Sequence, residues 1–151
     1  MGEIRWFKRA EGERASTLEA RAMSQARGIY EWLTRHLGSA QWFNGETFGW
    51  GDLSVVPYLN GARGNGFGPD EKSPLGQWLT RANARASVRK AATAAADSLK
   101  GMTQVAGAVQ SGVFKREYRD HRLEWMIRSG GLDVVLEGIK NNNIRFSNEL
   151  S

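Results

Sequence analysis

The sequence contains few side chains of the types that catalyse reactions or bind metals. It has two histidines, His36 and His121, and no cysteine. Neither histidine has a second histidine or an acidic cluster at the spacing of metal ligands, and the sequence has no G-x-S-x-G nucleophile motif. Disulfides and cysteine nucleophiles are therefore excluded within this sequence, and metal or serine-triad chemistry is disfavoured.

Asp52 is the acid whose neighbours define its role best, and that role is structural. With Gly49 at the N-cap of a helix, Asp52 falls at N3, where a carboxylate can bond free amides and favours the positive end of the helix dipole. Phe48 and Leu53 have the spacing of a hydrophobic staple. Pro57 follows inside the same helix and predicts a bend. Replacing Asp52 with Ala is expected to cost about 1 to 2 kcal/mol if the cap bond is buried.

A long helix is predicted upstream, over residues 16–37. Ser16 and Glu19 have the spacing of a capping box, and Gly38 can adopt the left-handed conformation that ends a helix. Residues three or four positions apart form one apolar face: Leu18, Ala22, Ala26, Ile29, Leu33 and Leu37. Residues 4–8 have the composition of the end of an earlier helix.

Further helices are predicted after a glycine-rich turn at residues 61–69. Ser73, with Pro74 at N1, begins a helix with the apolar face Leu75, Trp78, Leu79 and Ala82. Ser87 caps an alanine-rich helix that we expect to pack closely through Val88, Ala91, Ala92, Ala95 and Leu99. Residues 101–112 are small and weakly patterned, which predicts a loop. Residues 114–129 predict one more helix, and a last helix has the apolar residues Leu132, Val135, Leu136 and Ile139.

The composition is typical of a packed globular protein. Of 151 residues, 40% are hydrophobic and 25% are charged, which differs from the signature of disorder. No apolar run is long enough to span a membrane, and the N-terminus has no signal-peptide pattern, so a cytoplasmic location is expected. The net charge is +5, but acidic residues are interspersed among the basic ones and no basic block stands apart, which argues against a nucleic-acid partner.

From about Glu13 to Leu99, the sequence resembles the C-terminal domain of cytosolic glutathione transferases. The matching parts follow in the family's order: a long helix, a Trp/Phe connection, a capping box with a staple, a helix containing proline, and a helix containing tryptophan. The residues that carry the resemblance are Phe48, Gly49, Asp52, Leu53, Pro57, Leu59, Pro74, Leu75, Trp78, Arg81, Arg85, Ser87 and Val88. Gly49 replaces the usual hydroxyl cap, and Arg85-Ala86 replaces a frequent Arg-Pro.

The resemblance implies an all-α, multi-helix bundle over residues 1–100, with residues 101–151 as a linker and a helical extension packed on it. The family's glutathione site lies in a thioredoxin-like N-terminal domain, which nothing in this sequence resembles. The chain is therefore expected to be truncated or split. It would contain no cofactor, use glutathione as co-substrate only when that domain is supplied, and have no independent conjugating activity.

The resemblance also implies partners and candidate site residues. A full enzyme would bind a hydrophobic electrophile and form a homodimer. Arg5 and Trp6 correspond to the helix that faces the electrophile pocket, and Tyr118 and Trp125 could close that pocket from the C-terminal extension. For each aromatic residue, core packing is at least an equal alternative.

Two other functions stay open from the sequence. The same helical domain occurs as a non-catalytic protein-interaction module, which would bind a partner protein and ignore glutathione. A nucleic-acid binder rests on the pI of about 9.9 alone, and its affinity would fall steeply with salt.

Overall fold

In a computed structural model, the described part of the chain comprises residue 5 and residues 10–100, 103–117 and 120–145. The helices in this part are α1 (Gly12–Leu37), α2 (Trp50–Gly64), α3 (Pro74–Asn83), α4 (Ala86–Leu99), α5 (Thr103–Gln110), α6 (Asp120–Arg128) and α7 (Leu132–Lys140). Two strands of two residues each, β1 (Arg116–Glu117) and β2 (Ile144–Arg145), pair in parallel. Because so short a ladder adds no sheet layer, the all-α fold class is confirmed.

The chain divides into two compact units. One comprises Met23–Leu99, and the other comprises Met1–Ala22 together with Lys100–Ser151. The division expected from the sequence, with one domain over residues 1–100 and an extension over residues 101–151, stays a prediction. The first 22 residues, however, group with the C-terminal segment.

The core of the unit Met23–Leu99 is built around α3. Gly76 N donates to Ser73 Oγ at 3.0 Å and Pro74 begins the helix, so the predicted cap is confirmed. The predicted apolar face of α3 is also confirmed, since its four residues are at most 1% exposed. The buried residues of this core are Leu33, Leu37, Trp42, Val56, Leu59, Leu75, Trp78, Leu79, Ala82 and Val88.

Helix α1 begins earlier than predicted. It starts at Gly12, and the Ser16 hydroxyl donates to the carbonyl of Gly12 at 3.2 Å, so the predicted capping box at Ser16 is wrong. The predicted end is confirmed, because Gly38 has a φ of +55° directly after the helix. Ile29 was expected on the buried face but is 56% exposed, because the neighbouring Tyr30 packs against the core instead.

Helix α4 begins at Ala86, one residue before the predicted cap, and is not closely packed. Val88 is its buried residue in the core, whereas Leu99 is 43% exposed. The alanines at positions 91, 92 and 95 are exposed as well. The prediction of a tightly packed alanine helix is therefore wrong.

The segment after residue 102 differs from the prediction in its elements. Helix α5 forms where a loop was expected, because alanine and valine residues permit a helix despite the weak pattern. A single helix over residues 114–129 was also expected, but β1 occupies part of that range and α6 begins only at Asp120. The predicted stop after α6 is present, and Gly130 has a φ of +85°.

Helix α7 buries a different face from the predicted one. Val134 and Val135 are each 3% exposed, while the other apolar residues expected on the buried face, Leu132, Leu136 and Ile139, are 47 to 56% exposed. The valines join a core whose buried members are Ala10, Leu18, Met126, Val134, Val135 and Ile144. All of these residues belong to the unit of Met1–Ala22 and Lys100–Ser151.

Candidate functional site

The buried carboxylate of Asp52 lies at the start of α2, with Gly49 at the N-cap in an extended conformation. Asp52 is 0% exposed. Its Oδ2 accepts from Gly49 N at 2.9 Å, and its Oδ1 accepts from Phe43 N at 3.0 Å and from Trp78 Nε1 at 2.8 Å. A carboxylate in the interior is stable only when it is hydrogen-bonded in this way.

These bonds connect the start of α2 to the preceding connection and to α3. The bond to Gly49 is local and follows from the capping motif. Sequence reasoning missed the other two donors, which lie nine and 26 residues away. A signal for one of them existed, because a buried tryptophan usually needs a partner for its indole N–H.

Aromatic rings and arginines surround this network. The rings of Trp42 and Phe48 meet edge to face, with centroids 5.2 Å apart. The guanidinium carbon of Arg85 lies 4.3 Å from the Phe48 centroid, and that of Arg81 lies 5.9 Å from the Trp42 centroid. Arg81 Nη2 also donates to Gln41 O at 3.1 Å. The two arginines that carry part of the family resemblance therefore hold the aromatic connection in place by cation–π contacts.

Phe48 and Leu53, the two residues of the predicted hydrophobic staple, differ in burial. Phe48 packs against the core cluster beside Trp42. Leu53 is 48% exposed, so it contributes only part of its surface to packing. The predicted contact between these two side chains stays a prediction.

A cleft of about 500 Å³ lies beside Tyr30 in the unit Met23–Leu99. It is lined by Arg27, Tyr30, Glu31, Thr34, Arg35, Pro69, Asp70, Ser73 and Leu75. The Tyr30 hydroxyl donates to Phe67 O at 2.7 Å, and burial raises the pKa of this phenol above its ordinary value. Because this hydroxyl already donates its hydrogen to a backbone carbonyl, it is engaged within the protein in this geometry.

The four predicted electrophile-site residues are only partly described. Arg5 Nε bonds Glu19 Oε1 at 2.8 Å, which engages the cation in an ion pair. Trp125 is half-buried and packs against the core around Met126. Trp6 and Tyr118 lie outside the described residues. The packing of Trp125 is what the core-packing alternative predicts.

The two histidines have surface positions. His36 is exposed, its Nδ1 lies 2.9 Å from Trp32 O, and its ring contacts the Trp32 ring at 4.0 Å. His121 is also exposed. Across residues 10–100, 103–117 and 120–145, no three His, Asp or Glu side chains converge on one point that could hold a metal ion.

None of the helices described between Gly12 and Lys140 combines the length and the apolar character that crossing a membrane requires.

Residues 16–81 match the family model of the glutathione S-transferase C-terminal domain. No curated protein and no solved structure matches the chain. The matched segment contains the whole Asp52 network, from Phe43 to Trp78. Residues 16–81 are therefore a helical domain of the glutathione S-transferase C-terminal family.

Proposed function

We propose that this chain is the electrophile-binding and dimer-supporting domain of a glutathione S-transferase and that it has no conjugating activity by itself. The observation that carries the proposal is the buried Asp52 network inside the matched segment. The network fixes the start of α2 relative to α3, which would give the domain a rigid face against which a substrate and a second domain can be held.

The thiol chemistry of the proposed enzyme is assigned to a separate thioredoxin-like domain. The sequence has no cysteine, and the Tyr30 hydroxyl beside the cleft already donates its hydrogen bond to Phe67 O. Glutathione is then a co-substrate that this chain does not activate. A cytoplasmic location, where glutathione keeps thiols reduced, belongs to the same proposal.

The electrophile contacts are proposed for Arg5, Trp6, Tyr118 and Trp125. The aromatic residues would supply apolar walls, and Arg5 would contact an anionic group of the substrate. Because Arg5 is paired with Glu19, binding an anion there requires exchange of that ion pair. Glu19→Gln should therefore increase affinity for an anionic aromatic electrophile and leave affinity for a neutral one unchanged.

The proposal is tested by calorimetry and by a conjugation assay. The chain alone should bind no glutathione at millimolar concentration and should conjugate no aryl halide. Adding a glutathione-binding thioredoxin-like domain in trans should restore conjugation. Glutathione binding by the chain alone at millimolar or better affinity would contradict the assignment, and so would turnover without the added domain.

A non-catalytic interaction module is the second candidate, and the exposed side chains of α2 favour it. Trp50 and Tyr58 are 81% and 78% exposed, and such aromatics often anchor protein interfaces. This function predicts that a stable partner protein binds the chain and that conjugation stays absent even when the thioredoxin-like domain is added.

A further inference from the structure

Four basic side chains collect where α3 ends and α4 begins. Between Glu71 and Asp97 the sequence has no acidic residue, but it has five basic ones: Lys72, Arg81, Arg85, Arg89 and Lys90. Neutral residues separate most of them in the sequence, so no basic block is visible there. The last four belong to the end of α3, the short connection and the start of α4. We call these four residues the basic patch.

The three arginines of the basic patch meet at this junction. The guanidinium carbons of Arg81 and Arg85 lie 5.9 and 5.7 Å from the centroid of the same ring, that of Trp42. Arg89 Nη1 donates to the carbonyl of Ala84, which lies between the other two arginines in the sequence. Since the screening length is about 10 Å at 0.1 M salt, positive charges that share one ring repel each other. An anion bound among them would relieve this repulsion.

The basic patch has no acidic partner among the described residues. The ion pairs of the described part of the chain engage other cations, among them Arg14 and Arg145. Arg85 and Lys90 are exposed, and neither has a hydrogen bond or an ion pair with a described residue. The positive charge of the patch is therefore not neutralised within the part of the chain that the structure describes.

Structural roles account for only part of the basic patch. Arg89 lies beside the last carbonyls of α3, where the helix dipole favours a cation, and Arg81 donates to Gln41 O. Arg85 lies 4.3 Å from the centroid of the Phe48 ring, the distance of a stacked contact. Stacking uses the face of a guanidinium and leaves the N–H groups at its edge for an anion.

The exposed arginines of α1 have different surroundings. Arg27 and Arg35 line the cleft beside Tyr30, and the same cleft is lined by Glu31 and Asp70. Acidic and basic side chains are thus mixed at that cleft. Removing its two arginines changes the net charge of the chain without touching the basic patch, so this pair provides a matched control.

The spacing of the patch suits an extended acidic peptide. Arg89 N donates to Arg85 O at 3.0 Å, so these residues are one helical turn apart, roughly 6 Å along the axis. In an extended peptide, alternate side chains point the same way and lie roughly 7 Å apart. Carboxylates at alternate positions can then each meet one guanidinium, which can bind a carboxylate through two N–H groups.

The rings of the basic patch suit a nucleic acid less well. Proteins that bind single strands combine cations with open aromatic rings on which the bases stack. Trp42 is only 7% exposed, and Arg85 already lies over the Phe48 ring. These rings have little free surface for a base, so the patch favours an anionic peptide.

We propose that the basic patch binds an acidic segment of a partner protein, in an extended conformation with Asp or Glu at alternate positions. The inference goes beyond the proposed function, because this contact requires neither glutathione nor an electrophile. It applies to the chain as an enzyme domain and as an interaction module alike.

Fluorescence anisotropy with a dye-labelled octapeptide, in which glutamate alternates with alanine, tests the site. The peptide should bind the full chain and lose affinity as salt rises. Arg85→Gln/Arg89→Gln should raise the dissociation constant at least about 10-fold, because two charge-assisted contacts are lost. The control Arg27→Gln/Arg35→Gln removes the same net charge and should change the dissociation constant by less than about 2-fold.

A second variant separates lost binding from lost structure, because Arg85 also contacts Phe48. Arg89→Gln/Lys90→Gln changes two exposed residues of α4. It should raise the dissociation constant at least about 5-fold, while the urea midpoint of the variant stays that of the wild type.

Three further results would overturn the inference. One is binding of the same peptide with glutamine in place of glutamate, and another is an equal loss of affinity in the Arg27/Arg35 control. The third is tighter binding of an oligothymidylate with four phosphates, which would assign the patch to a nucleic acid instead. Failure of the octapeptide to bind would also overturn it. The glutathione titration of the chain alone does not involve the basic patch, so the two proposals can fail separately.

Discussion

The side chain of Asp52 connects three segments of the chain through its hydrogen bonds. It accepts from two backbone amides and from the indole of Trp78, in a place with no access to solvent. An asparagine could keep the two bonds at one oxygen but would present an amide N–H to Gly49 N, a donor to a donor. The position therefore favours a carboxyl group, with two acceptor oxygens, over its isosteric amide.

Asp52→Ala should cost about 3 kcal/mol or more of unfolding free energy, because each buried donor left without a partner costs about 1 to 3 kcal/mol. This exceeds the expectation from the capping motif alone, which counted a single bond. Urea unfolding measures the difference. Glu46→Ala removes a charge at an exposed position and should move the midpoint little. An unchanged midpoint in Asp52→Ala would exclude the network as a source of stability.

Tyr30 should make the free energy of unfolding decrease at alkaline pH. Its pKa in the folded state is raised by burial, so the folded state holds this proton more tightly than the unfolded state does. The resulting stabilisation is complete below the ordinary tyrosine pKa of about 10 and is lost as the pH rises through the higher folded-state pKa.

Tyr30→Phe should therefore cost about 1 kcal/mol at neutral pH, through the lost bond to Phe67 O. It should also flatten the decrease in stability above about pH 10. Urea unfolding over a series of alkaline pH values measures both effects. Tyr58→Phe changes a ring that is 78% exposed and serves as the control. A Tyr30→Phe variant with the same alkaline decrease as the wild type would contradict this assignment.

At the scale of single residues, the sequence predicts a role when the partners are near in the chain. Asp52 at N3 and Ser73 before Pro74 are both set by neighbours within three positions. The bonds of Asp52 to Phe43 and Trp78 depend on how separate segments pack. No local pattern encodes that packing, so these partners could not be derived from spacing alone.

At the scale of helices, the wrong predictions have identifiable causes. Ser16 looked like a cap, but a serine inside a helix can bond the carbonyl four residues back, as Ser16 does with Gly12. The strand pair β1–β2 joins residues 28 positions apart through two pairs, too short a pattern for sequence alternation to reveal. In α4 and α7, helical periodicity predicted helices correctly but did not show which side would be covered.

Substitution by alanine should change the stability in opposite directions at two helical glycines, Gly76 and Gly28. A Cβ on Gly76, in the first turn of α3, would lie 2.0 Å from Asp70 O, a backbone atom that cannot simply move aside. Gly76→Ala should therefore cost about 2 kcal/mol or more, by the overpacking of a close contact. A Cβ on Gly28, inside α1, meets nothing within 4 Å, and Gly28→Ala should stabilise by about 0.5 to 1 kcal/mol through helix propensity.

Thermal unfolding followed by circular dichroism compares these two variants under one protocol. They introduce the same methyl group into the same kind of element, so their difference isolates the steric contact at Gly76. A Gly76→Ala variant as stable as the wild type would contradict the close contact between Gly76 and the backbone of Asp70.

At the scale of the whole chain, the division into two units explains why one helical pattern could mislead. The predicted apolar face of α1 joined Leu18 and Leu33, but these residues belong to two different cores. A single amphipathic face was expected because periodicity records only that apolar residues share a side. Which core each residue joins depends on segments far along the chain, namely α6 and α7 for Leu18 and α2 and α3 for Leu33.

Each core cluster draws its side chains from one unit, and this predicts that the units lose structure separately. Leu79→Ala and Met126→Ala each empty a site that is 0% exposed and should each cost about 2 to 5 kcal/mol of local stability. Amide hydrogen exchange should then rise in residues 23–99 for Leu79→Ala, and mainly in the buried amides of α6 and α7 for Met126→Ala. The exposed change Leu136→Ala in α7 is the control, since its side chain is 56% exposed. Amide protection falls in both units together only when they share one opening reaction. Faster exchange across both units in either core variant would therefore mean that the two cores unfold as one cooperative structure.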